Sequence, residues 1–205
     1  MRKSQWESII MRVFLSILLL IFSIQAFAKA DDIRDFEIEN MSLGDSLLKY
    51  FSENEIEDNL SGAQYPNKEF LLYYFKGLSK FETYEAVTVA VKANDKNYII
   101  YDLGGSIYFK NNFQDCLSMM KKIDSELNQI FTKAQNASGK NSHAYDKSGK
   151  TIQHYSIYEL ESGDNSQIVC LNWSDELEKK GHVDELNLTI GFKEYGDFVR
   201  FRAYD

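Results

Sequence analysis

Two cysteines, Cys116 and Cys170, constrain the fold of this chain more than any other feature of its 205 residues. Cys116 falls on the apolar face of a predicted helix that runs from Phe113 to Ala134, because apolar residues recur there at helical spacing. Cys170 falls in a strand-like apolar run, 168–171. A disulfide between them would pin helix to sheet and close a loop of about 54 residues, which chain-entropy theory values at about 4 kcal/mol. Two separate buried thiols are the alternative, whereas a redox site is disfavoured because no Cys-x-x-Cys is present.

Residues 1–30 are interpreted as a secretory signal peptide, with translation starting at Met1 or at Met11. Arg12 supplies the positive charge, an apolar stretch of about 12 residues follows, and small residues allow cleavage after Ala28 or Ala30. This stretch is shorter than the roughly 20 residues that span a bilayer, so an uncleaved anchor is the less favoured alternative. We therefore predict a periplasmic or secreted protein with no stable membrane anchor, in a compartment where a disulfide persists.

The exported part, residues 31–205, has the length of one domain with its own core. The full chain carries 31 acidic and 23 basic residues, a net charge of −8. An acidic chain without a basic run is a poor binder of nucleic acid, so we expect no nucleic-acid partner.

The order of the predicted elements indicates the α+β class. Two capping-box patterns, at Ser42–Asp45 and Ser52–Glu55, predict short N-terminal helices. Strand-like runs joined by tight turns predict a mainly antiparallel sheet of about five or six strands, with one long helix, 113–134, between them. Gly104-Gly105 predicts a bulge in the strand 98–109. We expect a loop over 135–150 and, at 194–203, a helix rather than a strand. The predicted strands are 70–75, 83–93, 98–109, 151–161, 166–173 and 186–192.

A polar loop carries the residues that we predict to form a binding surface, with tyrosines of the neighbouring strands. They are His143, Tyr145, Asp146, Lys147 and Lys150. The stretch 144–151 also fits a relaxed phosphate-loop pattern, but a nucleotide site needs a helix after the lysine, and here a strand is predicted. The three histidines lack metal-ligand spacing, so no metal or cofactor is predicted.

Six short motifs are scattered along the exported part: Asp35–Glu39, Gly44–Leu48, Tyr50–Ser52, Asp115-Cys116, Asp146–Lys150, and Val169-Cys170 with Trp173. Together they resemble a family of small exported proteins of unknown function from low-GC marine bacteria. The resemblance covers the exported part and implies a single exported domain. It implies no activity, so it assigns no functional residue. Asn40 departs from the pattern, in which glycine would precede Met41, but asparagine tolerates a positive φ better than most residues.

No catalytic constellation stands out in the sequence. We therefore predict a soluble, non-enzymatic binding or interaction module whose partner is a protein, a glycan or a small ligand. The alternative is a periplasmic hydrolase that uses dispersed carboxylates or a histidine. A cleft with two facing carboxylates, or one carboxyl with a raised pKa, would favour the hydrolase.

Overall fold

The computed structural model describes residues 32–110 and 112–205, so the predicted signal peptide lies outside the described residues. The described residues form one compact unit. Its centre is a single antiparallel sheet of seven strands: β1 Phe70–Lys76, β2 Ala86–Lys92, β3 Ile100–Tyr108, β4 Gln135–Ser142, β5 Ile152–Glu159, β6 Asn165–Asn172 and β7 Glu185–Gly191. The strands lie in the order β1-β2-β3-β7-β6-β5-β4. The last strand, β7, therefore lies between two three-stranded meanders, β1-β2-β3 and β4-β5-β6. The long helix separates these two meanders in sequence.

The helices of the described part are α1 Glu53–Asp58, α2 Phe113–Ile130, α3 Asp175–Glu178 and α4 Lys193–Phe201, with 3-10 turns at Ile33–Asp35 and Leu47–Lys49.

The predicted α+β class is confirmed, but the predicted strand count of five or six is too low. The strand that was missed is β4, which occupies the first half of the predicted loop 135–150 and pairs with β5 over its whole length. All eight residues of β4 are exposed. Because neither face of β4 is buried, its sequence lacks the apolar alternation that marks a half-buried strand.

Several helix boundaries differ from the prediction. The long helix ends at Ile130 rather than Ala134, because the chain turns there into β4. The capping box at Ser52 and Glu55 opens α1 as predicted, whereas the first pattern yields only the 3-10 turn Leu47–Lys49. The segment 194–203 does form a helix, α4.

The predicted bulge at Gly104-Gly105 is wrong. Both glycines pair in regular register with Thr88 and Val87, and the irregularity lies between Ala90 and Val91, opposite Tyr101. The glycines are needed for close packing instead. A β-carbon on Gly105 would lie 2.4 Å from Cδ1 of Tyr84, and one on Gly104 would lie 2.7 Å from Cγ2 of Thr189.

One face of the sheet, which we call the closed face, carries the main core. Helix α2 packs across β6 and β7, and the N-terminal segment 33–60 covers the other half. Cys116 of α2 and Cys170 of β6 form a disulfide with a Cα–Cα distance of 6.1 Å, which confirms the predicted pair. The core includes Ile33, Met41, Leu47, Phe51, Ile56, Val87, Val89, Leu103, Ile168 and Leu186.

The opposite face of the sheet, which we call the open face, is covered by α4 at one end, and a small cluster of Leu171, Trp173 and Leu177 packs on it near β6. Helix α4 places Tyr195 and Phe198 over Phe70 and Ala90. Beyond α4 the outward side chains of the central strands are mostly small or polar, as the next section describes. Within residues 32–110 and 112–205, no helix combines the length and the apolar character needed to cross a membrane.

Candidate functional site

The predicted binding loop connects β4 to β5, and Asp146 organises it from within. The Asp146 carboxylate accepts hydrogen bonds from the backbone N–H groups of Ser148 (2.9 Å) and Thr151 (3.0 Å) and from the Thr151 hydroxyl (2.7 Å). These bonds hold the pKa of Asp146 well below its usual range. Asp146 is therefore a scaffold of the loop, while Lys147 and Lys150 are exposed on it.

The loop also contributes to an aromatic cluster, which we define as His143, Tyr145, Trp173 and His182. The ring centroid of Trp173 lies 4.4 Å from that of His182 and 5.3 Å from that of His143. Tyr145 lies 5.6 Å from His182 and is 62% exposed. Two of the predicted loop residues thus join two residues that the sequence analysis did not select.

Hydrogen bonds fix the aromatic cluster to the sheet. The backbone N–H of Trp173 donates to Oδ1 of Asp184 (2.8 Å), and that of Ser174 donates to Oγ1 of Thr151 (3.1 Å). Burial lowers the pKa of His143, and its Nδ1 has no hydrogen-bond partner among the described side chains and backbone. The imidazole of His143 is therefore kept in its neutral form at neutral pH.

A groove of about 450 Å³ crosses the open face and reaches this cluster. Its walls include Tyr74, whose hydroxyl lies 2.6 Å from that of Tyr108, and its floor includes Gly104. His143 lines one end, so the groove and the aromatic cluster are continuous. Most of the remaining lining side chains are hydroxyls or amides: Thr88, Ser106, Gln153, Gln167, Asn187 and Thr189.

Asp102 lines the groove and is the residue that the sequence analysis missed. It follows Tyr101 at the irregularity in β3, pairs with Gly191 of β7, and points to the open face beside α4. The carboxylate of Asp102 makes no hydrogen bond or salt bridge to another side chain or to the backbone within the described part of the chain. Burial raises its pKa to about 7, because water no longer solvates the charged form fully.

A second carboxyl lines the groove at its far end. Burial raises the pKa of Glu185, and a hydrogen bond from Asn187 and the charge of Lys76 oppose that shift. Glu185 pairs with Tyr108, six residues from Asp102 on β3, so the two carboxyls lie about 20 Å apart along the strands. Catalytic carboxyl pairs of glycosidases lie roughly 5 to 9.5 Å apart, so Asp102 and Glu185 do not form such a pair.

The remaining polar groups of the groove do not assemble a nucleophile with a base. The Ser106 hydroxyl donates to Oδ1 of Asn187 (2.5 Å), which is not a general base. Across residues 32–110 and 112–205, no group of three or more histidine, cysteine, aspartate or glutamate side chains is placed to hold a metal ion. The phosphate-loop pattern at 144–151 leads into β5 rather than a helix. Among the described residues, the arrangement is therefore a mainly polar groove in which one carboxyl, that of Asp102, has no side-chain partner.

Comparison with known proteins gives no match. The chain fits no protein-family model, and neither a characterised protein nor a solved structure is significantly similar to it. The resemblance to exported marine bacterial proteins stays a prediction, and the site must be interpreted from its own chemistry.

Proposed function

We propose that this chain is an exported, non-enzymatic binding module that holds a polar ligand in the groove of its open face. The observation that carries this proposal is the groove itself, where hydroxyl and amide side chains stand in place of the apolar residues that a covered sheet face would need. Of the three partner types expected from the sequence, a glycan or small ligand suits this lining best, because side-chain hydroxyls and amides both donate and accept hydrogen bonds.

Export to the periplasm or the exterior is part of the same proposal. The disulfide between Cys116 and Cys170 supports it, because such bonds persist in oxidising compartments. The loop residues that the sequence analysis selected take a secondary role here. His143 and Tyr145 would form one end of the groove, and Lys147 and Lys150 would face solvent beside it.

The rival function, a hydrolase, has one observation in its favour, which is the raised pKa of Asp102. A carboxyl that is protonated near neutral pH suits a general acid. The rival lacks a partner group, since Glu185 lies about 20 Å away along the strands. Turnover of chromogenic glycosides or esters by the full chain, abolished by Asp102→Asn, would favour the hydrolase over the binding module.

Ligand retention by two tryptophan variants tests the proposal. Gln167→Trp fills the groove, whereas Gln129→Trp places the same ring on the exposed side of α2. The full chain is incubated with a library of neutral, basic and acidic oligosaccharides, polyols and amines, and retained compounds are identified by native mass spectrometry.

A groove ligand is retained by the wild-type chain and by Gln129→Trp, and lost from Gln167→Trp. Equal retention by both variants would overturn the groove as the binding site. Retention of no library member by the wild-type chain would count against a polar ligand of these classes.

A further inference from the structure

The groove is lined by acidic side chains without lysine or arginine to balance their charge. Its lining residues include two carboxyls, Asp102 and Glu185, and no lysine or arginine. Three basic side chains near α4 form salt bridges with other acids: Lys92 with Glu194, Lys193 with Asp197, and Arg202 with Glu69. Arg200 is exposed, and its guanidinium lies over the ring of Phe201. Lys76 lies over the ring of Tyr108 at the far end and acts on Glu185. Asp102 is therefore the lining carboxyl that no side-chain cation compensates.

The surroundings of Asp102 provide no internal partner for its carboxylate among the described residues, and Asp102 lines the groove. Asp102 faces Gly191, and a β-carbon at that position would lie 2.6 Å from Oδ2 of Asp102. Nδ2 of Asn165 lies 3.8 Å from the same β-carbon position and makes no hydrogen bond to the carboxylate. An uncompensated, desolvated carboxyl is costly, and a cation that binds beside it recovers part of that cost.

We propose that the groove binds an amino sugar chain, with Asp102 as the counter-ion of one protonated amino group. This inference rests on the proposed function and adds the ligand class. The ammonium group would form a charge-assisted hydrogen bond with the Asp102 carboxylate. The sugar hydroxyls would form hydrogen bonds with the threonine, serine, asparagine and glutamine side chains that line the rest of the groove. An acidic ligand is disfavoured, because it would meet two carboxyls and no lining cation.

Three probes separate the contributions of the ammonium group and of the hydroxyls. They are a chitosan tetrasaccharide, which carries free amino groups, its fully N-acetylated counterpart, which is neutral, and spermidine, which carries amines without hydroxyls. Binding of each to the full chain is measured by isothermal titration calorimetry near neutral pH. Asp102→Asn removes the proposed counter-ion, and Asp58→Asn, at the exposed end of α1, removes the same charge elsewhere.

We expect the chitosan tetrasaccharide to bind the wild-type chain at least about tenfold more tightly than the acetylated one, as losing one charged partner typically costs. Asp102→Asn should abolish this preference, and Asp58→Asn should keep it. Because the preference is measured first on the wild-type chain, the proposal is testable even without the variant.

Three outcomes would overturn the inference. Equal binding of the two tetrasaccharides with no effect of Asp102→Asn would leave the groove as a glycan site and remove the role of Asp102. Binding of spermidine as tight as that of chitosan would replace the amino sugar by a simple polyamine. Failure of all three probes would remove the ligand class, while the retention experiment with Gln167→Trp would still decide the proposed function by itself.

Discussion

Oδ2 of Asp102 lies 2.6 Å from the position that a β-carbon on Gly191 would take. The two residues are direct partners in the β3–β7 pairing, so the absence of a side chain at Gly191 gives the carboxylate its place in the groove. Close approach of this kind is one reason why glycine occurs inside strands. The groove thus depends on a residue that contributes no functional group to it.

Gly191→Ala is expected to displace the Asp102 side chain and to lower the free energy of unfolding by about 1–3 kcal/mol, as overpacking of a tight site does. Urea unfolding of the full chain measures the change. Gly62→Ala is the matched control, because a β-carbon there meets nothing within 4 Å. Equal stability of the two variants would show that the space beside Asp102 is not filled.

The titration of Asp102 predicts how stability depends on pH. Its pKa is raised to about 7, so the folded chain keeps a proton that the unfolded chain releases near pH 4. The folded state therefore binds more protons across this window, and its stability falls as pH rises from about 4 to about 7. For one group the slope is at most about 1.4 kcal/mol per pH unit.

Asp102→Asn removes this titration while it keeps the shape of the side chain. The difference in the free energy of unfolding between the wild-type chain and Asp102→Asn should move in favour of the variant as pH rises through the window. Chemical denaturation at a series of pH values measures this difference. Parallel curves for the two proteins would mean that Asp102 titrates normally and is well solvated.

The disulfide is expected to contribute about 4 kcal/mol to stability, because it closes a loop with a sequence separation of 54. Replacing both Cys116 and Cys170 by alanine should lower the free energy of unfolding by about this amount. Reductant should destabilise the wild-type chain to a similar extent and leave the double variant unchanged. A double variant as stable as the oxidised wild-type chain would refute the estimate.

The hydroxyl of Thr189 offers a stabilising substitution. Its Oγ1 is buried and has no hydrogen-bond partner among the described residues, whereas the half-buried Thr88 lies nearby on the same face. Thr189→Val removes the unpaired oxygen at nearly constant shape and should raise stability by about 1 kcal/mol. Thermal unfolding compares it with Thr88→Val, for which we expect a smaller change. A loss of stability in Thr189→Val would reveal a hydrogen bond to solvent.

Much of the architecture was predictable because its segments have one buried face. Val87, Val89 and Val91 alternate with outward residues in β2, and Cys116 lies on the apolar stripe of α2. Local patterns of this kind identify an element and its inner face. The disulfide followed from the same patterns, because it joins the inner face of a helix to the inner face of a strand.

The edge strand β4 could not be recognised in this way. Its residues Gln135–Ser142 are exposed on both faces, and pairing with β5 alone holds it in the sheet. Backbone pairing leaves little trace in the order of side chains, and this sequence of polar and small residues is typical of a loop. Tertiary pairing therefore overrides local propensity here.

The groove could not be predicted from the sequence for a different reason. Its polar residues lie on six strands and on the loop between β4 and β5, and the strand order that brings them together places β7 between β3 and β6. The hydrophobic pattern indicates which face of each strand is buried, but it does not indicate the order of the strands within the sheet. The local signal that was available is Asp102, a carboxylate within the strand-like run 98–103. A charged residue inside such a run marks a place where the outer face is not ordinary surface.

The ring closed by Cys116 and Cys170 encloses the whole loop between β4 and β5, including the exposed Lys147 and Lys150. A trypsin-like protease that cuts after either lysine would therefore yield two pieces that stay covalently joined. The nicked protein would migrate as one band until reductant is added, and β4 and β5 would keep their pairing across the cut. The loop at the end of the groove is thus a place where the chain tolerates scission without losing either fragment.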